Sequence, residues 1–592
     1  MNNRSHPVIL LSLAALLFFL GLGALGLTDR DEGSNAEAAR EMVETGDWIT
    51  PTLNYEPRFA KPAFVYWLMS GAYQLFRVSE FAARLPSALF GVGLILLQYL
   101  FLTRVCGPVL GLLGALMLLL NIGMVAIGRL ALTDSVLIFF TTLAVFGFWL
   151  GLHLEGRARH FFWLFYLGMA LATLTKGPVG VAVPLLAVVP YLTVTRRWGQ
   201  FWQRGFPLSG ALLFLLLALP WYAAMFALHG SRYTASAQAD TVGRFFHMIG
   251  GHGGTILFYV PVLLFGFFPW SAFLPVALFQ AIRGYRQWAI GYRQQKDDPA
   301  HRPSPLAPRL QAPQELELFA ALWLVAVFLF FTASATRLPH YIGPLYPAAA
   351  ILAASYWSRC LADPATPGIR ASFHTLMALG YLLGAALAAS PTLYSAFIET
   401  IAREFPVATE VGPGLGPPAA GLIVVIGSAI VGYFGLSEHR RPGAFWAAGA
   451  MICLVMLVAI QIVLPRFSKY FVVPPQELAY TAGLNLGPDD RLILYGPARP
   501  SLLFYARRKA IQIRPGEEER MRPHLTQPGR TFILLPSRLR PQLPAEAAGF
   551  PLILERYGYT LLANEPMVKA PVSSPPPKPG QTSKPDPHAR FR

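Results

Sequence analysis

Residues 84–127 read RLPSALFGVGLILLQYLFLTRVCGPVLGLLGALMLLLNIGMVAI, two apolar runs separated by Arg104. Each run has about 20 residues, the length that an α-helix needs to cross a bilayer. Working outward, runs of spanning or near-spanning length recur at residues 8–27, 84–103, 108–127, 134–154, 161–174, 178–194, 207–228, 256–281, 315–334, 343–359, 371–390, 420–436 and 444–464. The sequence therefore predicts an α-helical polytopic membrane protein with about thirteen transmembrane helices.

The composition of the 592-residue chain agrees with this fold class. Hydrophobic residues make up 54% and charged residues 13%, with a mean hydropathy of +0.46, whereas soluble proteins carry about 25% charged residues. The net charge of +17 is spread through short loops rather than along one soluble face, so we predict no nucleic-acid partner. Three well-separated cysteines predict neither a metal–thiolate site nor a disulfide scaffold.

Basic residues cluster on alternate loops, a pattern typical of cytoplasmic loops. Together with an odd number of helices, this alternation of basic loops predicts a cytoplasmic N-terminus and an outer C-terminus. Ala63–Phe76 is uncharged but short, and as a span it would invert every later loop, so we predict an interfacial or re-entrant helix. The loop Thr28–Lys61 carries eight acidic and four basic residues. We expect this loop on the outer side.

Three regions follow from the hydropathy. Residues 1–465 form the predicted transmembrane domain, with a first outer loop at 28–78. Residues 466–566 form a small extracytoplasmic α/β domain, in which Arg491–Tyr495, Thr531–Leu535 and Pro551–Leu554 are predicted strands. Residues 567–592 are rich in proline and predicted to be disordered.

Most of the unusual polar residues then lie on the outer side at helix ends, where charges so close to hydrocarbon usually mark functional sites. Lysine and arginine neutralise a departing phosphate, and a carboxylate can orient or deprotonate an acceptor. This mixture suits an enzyme that uses a lipid-phosphate sugar donor and needs no nucleotide-binding unit. The residues are Asp31, Glu32, Lys61, Arg84, Asp134, Lys176, His247, His252, Arg337 and His340.

Structural interpretations remain open for several of these residues. Asp31 and Glu32 could be solvated loop carboxylates or partners of a helix dipole. Asp134 could be a helix N-cap, and Lys176 and Arg337 could be interfacial residues whose charged ends reach water. His247 and His252 could be ordinary exposed histidines.

Six motifs occur in an order that resembles the bacterial aminoarabinose lipid A transferase family, within the larger group that contains the protein O-mannosyltransferases. The likeness covers roughly residues 8 to 360. The motifs are DRDEGSNAEAAREMVETGDWITP (29–51), FAKPAFVYW (59–67), RLALTDS (129–135), TLTKGP (173–178), GHGGTILFYVP (251–261) and RLPHYIGPLYPA (337–348).

The resemblance implies a GT-C type fold, an undecaprenyl-phosphate sugar donor and transfer with inversion on the periplasmic face of the bacterial inner membrane. The family's functional residues fall on Asp31 (catalytic carboxylate), Asp134 (second loop aspartate), Lys61 and Lys176 (phosphate contacts), His252 and Tyr341. The outer-side pattern adds Arg84 and Arg337 to the phosphate contacts, and Glu32 and His340 to the substrate contacts.

Two departures from the family pattern bear on the substrate and on metal. Family members carry DE-x-R-Y-A-E where residues 31–37 read DEGSNAE, so an arginine and an aromatic residue near the donor are missing, and the sugar stays open. Ala60 stands where members often have glutamate before the lysine–proline pair. We therefore expect no metal shared with His252 and no cofactor, although a divalent metal stays open.

The acceptor also stays open among lipid A, another envelope glycan and a protein side chain. A transporter or flippase for lipid-linked sugars is one alternative, although it predicts charges midway along helices or broken-helix repeats. A non-enzymatic envelope assembly protein is another, but it gives no reason for the charges to gather at one face.

Overall fold

A computed structural model describes residues 5–154, 156–239, 243, 246, 254–297 and 312–565. Up to residue 297 the elements are α1 (Ser5–Phe19), α2 (Asp31–Thr45), β1 (Thr52–Leu53), β2 (Glu56–Pro57), α3 (Phe64–Phe76), α4 (Glu80–Cys106), α5 (Pro108–Leu119), α6 (Ile122–Arg129), α7 (Asp134–His153), α8 (Phe162–Lys176), α9 (Val179–Thr195), α10 (Trp198–Arg204), α11 (Pro207–Gln238), α12 (Tyr259–Gly266) and α13 (Leu274–Asp297). After residue 311 the helices of the apolar region are α14 (Ala312–Ala333), α15 (Tyr346–Ala362), α16 (Ile369–Ala388), α17 (Ser390–Ala396), α18 (Ile398–Glu404), α19 (Gly416–Leu436), α20 (Arg441–Val458), α21 (Leu464–Phe467) and α22 (Val473–Asn485).

Within the described residues, seven helices are long and apolar enough to cross a membrane, or up to ten if each sharply bent pair is one span. The polytopic α-helical fold is confirmed, but the count of thirteen is not. Three of the predicted spans are not among these helices, because α1 and α8 have only 15 residues each and α15 has 17.

Helix α3 matches the predicted short apolar segment to within one residue. Its 13 residues rise about 20 Å, well short of the roughly 30 Å hydrocarbon core. It packs between α2 and α4, burying Val65, Tyr66 and Met69. Its position relative to a membrane stays a prediction.

Close contact between α7 and α8 brings the start of one helix to the end of the other. A Cβ at Gly168 would lie 2.6 Å from the carbonyl oxygen of Phe140 and 2.8 Å from the amide nitrogen of Ala144. Only glycine allows this approach, so the helices pack backbone to backbone. Asp134 at the first residue of α7 therefore meets Lys176 at the last residue of α8.

A five-stranded sheet forms the core of the C-terminal α/β unit, with strand order β4-β3-β5-β7-β6. Strands β3, β4 and β5 run parallel, and β7 pairs antiparallel with β5 and β6. The elements are β3 (Arg491–Tyr495), α23 (Ser501–Ala506), β4 (Ile511–Ile513), α24 (Arg522–Leu525), β5 (Thr531–Pro536), α25 (Ala545–Ala548), β6 (Leu552–Arg556) and β7 (Tyr559–Ala563).

The boundary between the two parts differs from the predicted break at residue 465. A helical run continues from Glu438 to Asn485, and its last segment, α22, buries Leu478 and Ala482 against the sheet. The hydropathy falls before the helix ends, which is why the sequence suggested an earlier boundary. The tail at 567–592, predicted to be disordered, lies outside the described residues.

Candidate active site

Two lysine–carboxylate pairs lie at helix ends. Asp31, the first residue of α2, accepts a hydrogen bond of 2.8 Å from Nζ of Lys61 in the loop before α3. Asp134 accepts a hydrogen bond of 2.7 Å from Nζ of Lys176. The structure thus pairs four of the predicted site residues, although 30 and 42 residues separate the partners along the chain.

His340 and Tyr341, on the short 3-10 helix Pro339–Leu345, join the second pair. Nε2 of His340 lies 3.8 Å from Oδ2 of Asp134, and Nζ of Lys176 lies 4.6 Å from the ring centroid of Tyr341, a cation–π distance. The two pairs also interact with one another. The pKa of Asp31 lies well below its ordinary value, mainly because of Lys61, with smaller contributions from His340 and Lys176 that act against burial. We call Asp31, Lys61, Asp134, Lys176, His340 and Tyr341 the helix-end cluster.

Counted together with the neighbouring Arg58, positive charge exceeds negative charge at this cluster. Burial is the main cause that lowers the pKa of His340, so its imidazole is neutral at pH 7. Arg58 adds a third cation, because its charge helps to lower the pKa of Lys61, although burial is the larger cause and Asp31 opposes both. Three cations against two carboxylates leave one positive charge in excess, which favours an anionic ligand. Sequence reasoning missed Arg58, and its position three residues before Lys61 was the available signal.

The two carboxylates differ in access. The Asp31 side chain is 34% exposed, whereas that of Asp134 is 3% exposed and lies close to Lys176 and His340. A ligand can therefore reach Asp31 directly. Asp134 does not act as an N-cap, because Thr133 precedes the helix and neither residue caps it through a side chain.

Arg84 and Glu32 pair with one another in a buried structural contact, which does not fit their predicted binding roles. All five N–H donors of the Arg84 guanidinium are used, by both Glu32 oxygens and by the carbonyl oxygens of Leu22, Leu25 and Gly26. Glu32 also accepts hydrogen bonds from the backbone amide groups of residues 28 and 131. No donor is left for a phosphate, and both side chains are almost fully buried.

Arg337 lies at the turn after α14, where its guanidinium donates to the carbonyl oxygens of Gly254 and Thr332. Its Nε is buried and has no acceptor among the described residues. The described contacts do not join Arg337 to Lys61 or Lys176. Its predicted role in phosphate binding therefore stays a prediction.

His247 and His252 fall outside the described residues, so the predicted binding role of His252 is not tested. Within the described part of the chain, no group of three or more histidine, cysteine, aspartate or glutamate residues could hold a metal ion. The expectation that no metal is required stays a prediction.

Comparisons with known proteins point to one family. The sequence profile of the dolichyl-phosphate-mannose-protein mannosyltransferases matches residues 6–234. An undecaprenyl phosphate-alpha-4-amino-4-deoxy-L-arabinose arabinosyl transferase of Edwardsiella ictaluri is 29% identical over 59% of this chain and 58% of its own length. The match thus spans less than two thirds of that relative. An uncharacterised protein of Aquifex aeolicus is 30% identical over 60% of this chain and 73% of its own.

Among solved structures, ArnT from Cupriavidus metallidurans bound to undecaprenyl phosphate has a similar fold. The TM-score is 0.75, over 94% of this chain and 98% of that one, at 22% sequence identity. This likeness identifies the architecture as GT-C, which confirms the predicted fold class. On the sequence matches and the shared fold, the chain is an aminoarabinose lipid A transferase-like protein with the GT-C fold, and its residues 6–234 are also similar to the protein mannosyltransferases.

Proposed function

We propose that this protein transfers a sugar from an undecaprenyl-phosphate donor to an acceptor at the periplasmic face of the bacterial inner membrane. The observation that carries the proposal is the helix-end cluster, in which a reachable, ionised Asp31 lies beside an excess of positive charge. Cations bind the phosphate in the ground state and stabilise the charge that it gains as it leaves.

In the proposed reaction, an acceptor oxygen attacks the anomeric carbon on the face opposite the donor phosphate. The new C–O bond forms as the bond between the anomeric carbon and the phosphate oxygen breaks, and that oxygen keeps the electron pair. Lys61 and Lys176 neutralise the departing undecaprenyl phosphate. If the acceptor is a hydroxyl group, Asp31 takes its proton; if it is an already ionised phosphate, Asp31 only orients it.

Asp134 then acts indirectly. It is nearly inaccessible and bonded to Lys176, so we assign it to holding that ammonium in place rather than to direct contact with substrate. Tyr341 contacts the same ammonium from the ring side. Arg337, with a buried Nε that lacks an acceptor among the described residues, is a further phosphate ligand in this proposal.

The similar proteins support the choice of donor. Several are undecaprenyl-phosphate aminoarabinose transferases, and the solved relative binds undecaprenyl phosphate. The resemblance of the six motifs to the aminoarabinose lipid A transferases makes lipid A the first acceptor that we propose to test, and another envelope glycan the second. The matching mannosyltransferase profile supports a protein side chain as the alternative acceptor.

A flippase for lipid-linked sugars would need polar groups along a path through the helices. In the helix-end cluster the charges instead lie at the first residues of α2 and α7 and the last residue of α8. This placement favours chemistry at one face of the membrane over passage through it.

Mass spectrometry of envelope lipids and glycans, from cells with and without the gene, tests the proposal. We expect one sugar-modified species to disappear with the gene. It should return with the wild-type gene and not with Asp31→Asn. Unchanged lipid and glycan profiles, or full restoration by Asp31→Asn, would overturn the proposal.

A further inference from the structure

The C-terminal α/β unit contacts the first loop directly beside Asp31. The carboxylate of Asp29 accepts hydrogen bonds from the hydroxyl of Ser501 and, at 3.3 Å, from its backbone amide. Nη1 of Arg499 lies 3.4 Å from the other carboxylate oxygen of Asp29. Although 472 residues separate Asp29 from Ser501, they meet two positions from the proposed catalytic carboxylate.

The backbones of the first loop and the C-terminal unit approach one another closely at this contact. A Cβ at Gly33 would lie 2.6 Å from the amide nitrogen of Ser501 and 2.7 Å from its Cα, so the first turn of α2 touches the backbone of the C-terminal unit. Ser501 is fully buried, and Arg499 lies over the ring of Tyr559 at 5.2 Å, which fixes its guanidinium. The two parts therefore pack closely at this contact.

The backbone between Asp29 and Asp31 is strained. Arg30 has φ of 65° and ψ of −100°, a conformation that residues with a side chain rarely adopt. Such strain persists only where the surroundings hold it. Hydrogen bonds from Gly33 and Ser34 to the carbonyl oxygens of Thr28 and Arg30 hold the helix side of the turn. The contacts to Asp29 hold the other side.

We propose that Ser501 and Arg499 are positioning residues of the active site: they fix Asp29, and through the strained Arg30 they set the carboxylate of Asp31 toward the acceptor. This inference rests on the proposed function. It gives the C-terminal unit a specific part in catalysis. The effect can be large, because a displacement of about 1 Å at a reacting group can slow a reaction about a hundredfold.

A second contact between the same two parts serves as a control. It distinguishes positioning of Asp31 from simple docking of the C-terminal unit on the first loop. The side chain of Asn54 donates to the carbonyl oxygen of Ala510 and accepts from its amide, both at 2.8 Å. It ties the loop to the C-terminal unit 23 residues after Asp31, away from the strained turn. Asn54→Gly removes this contact without backbone strain, since glycine readily adopts the φ of 58° found there.

The test compares full-length variants with an undecaprenyl-phosphate-linked aminoarabinose donor and lipid A as probes. We expect Ser501→Ala to lower kcat about tenfold to a hundredfold and to leave the KM for the donor nearly unchanged. Asp29→Asn, which keeps an acceptor for Ser501, should retain more activity than Asp29→Ala. Two controls should behave as wild type: Asn54→Gly, and Ser537→Ala, which removes a hydroxyl bonded to Glu555 and Thr560 of the C-terminal unit.

Hydrogen exchange at the amides of Gly33 and Ser34 tests the same contact without any assay of transfer. We expect faster exchange in Ser501→Ala and wild-type exchange in Asn54→Gly. Equal loss of kcat in Ser501→Ala and Asn54→Gly would show docking alone, and unchanged exchange in Ser501→Ala would show that the hydroxyl does not hold the turn. Either result would overturn the inference. Absence of transfer by the wild-type protein would instead overturn the proposed function.

Discussion

Lys61 donates a hydrogen bond of 2.8 Å to Asp31, and the Asp31 side chain remains 34% exposed. The lysine therefore has two effects in one contact. It lowers the pKa of Asp31, which keeps the carboxylate ionised, and it supplies positive charge where a lipid phosphate would lie. The two effects have separate readouts: donor binding reports the positive charge, and the pH dependence of transfer reports the pKa of Asp31.

Replacing Lys61 or Lys176 by alanine should weaken binding of undecaprenyl phosphate by about tenfold to a hundredfold. Each charge-assisted contact to an anion is worth about 1.5–3 kcal/mol. Arginine at either position should restore binding only in part, because guanidinium geometry differs from that of an ammonium. Titration of the purified protein with undecaprenyl phosphate measures this, and Lys509→Ala, at an exposed ion pair with Glu56, is the control.

Chelators should leave binding nearly unchanged, since the lysines supply the charge. If chelation removed binding, added divalent metal restored it and both alanine variants bound normally, a metal would hold the phosphate instead.

The pH dependence of transfer should change when Lys61 is replaced by methionine. Asp31 acts as the ionised carboxylate, so the rate falls as the pH falls through its pKa. In the wild type that pKa is well below the ordinary value because of Lys61. Without the ammonium it should rise toward about 4 or above, which moves the acid limb of the kcat profile to higher pH. An acid limb at the same pH in both proteins would show that Lys61 does not control Asp31.

Arg84→Ala should destabilise the fold rather than weaken donor binding selectively. It leaves Glu32 as a buried carboxylate without its partner, a change that typically costs about 3–5 kcal/mol. Thermal unfolding in detergent should show a large loss for Arg84→Ala and almost none for Arg370→Ala, whose side chain is 71% exposed. A stable Arg84→Ala protein that no longer binds undecaprenyl phosphate would make Arg84 a phosphate ligand after all.

The orientation can be tested by labelling single cysteines in a chain without Cys106, Cys360 and Cys453. A labelled position must be exposed as well as outside in the proposed topology. This requirement excludes Gly33, which contacts Ser501, and Thr336, which is fully buried. Glu56→Cys and Thr255→Cys should react with an impermeant thiol reagent from outside, and Arg370→Cys should react only after permeabilisation. The reverse pattern would place the proposed site in the cytoplasm.

Several features of the fold and the site were predictable from local pattern. Apolar runs gave the polytopic class, and the short apolar segment before Phe76 gave the bounds of α3 to within one residue. Lys61 and Lys176 were found because they interrupt apolar surroundings at helix ends. Their specific partners were not predictable, because the pairing depends on tertiary packing across 30 and 42 residues.

Other features could not be predicted from the sequence, because they too depend on tertiary contacts. A charge at a helix end looks alike in sequence whether it meets a ligand or a buried partner, which is why Arg84 and Glu32 were assigned to binding. Strand β4 has only three residues, too few for a periodic pattern. The contact between Asp29 and Ser501 links residues 472 positions apart, beyond any local signal.

Transfer by the purified, full-length protein tests the central claim most directly. With an undecaprenyl-phosphate-linked aminoarabinose donor and lipid A, the wild type should form the glycosylated product and release undecaprenyl phosphate. Asp31→Asn should bind the donor and form almost no product, while Asp489→Asn, at an exposed carboxylate of the C-terminal unit, should match the wild type. Turnover by Asp31→Asn at the wild-type rate would contradict the account.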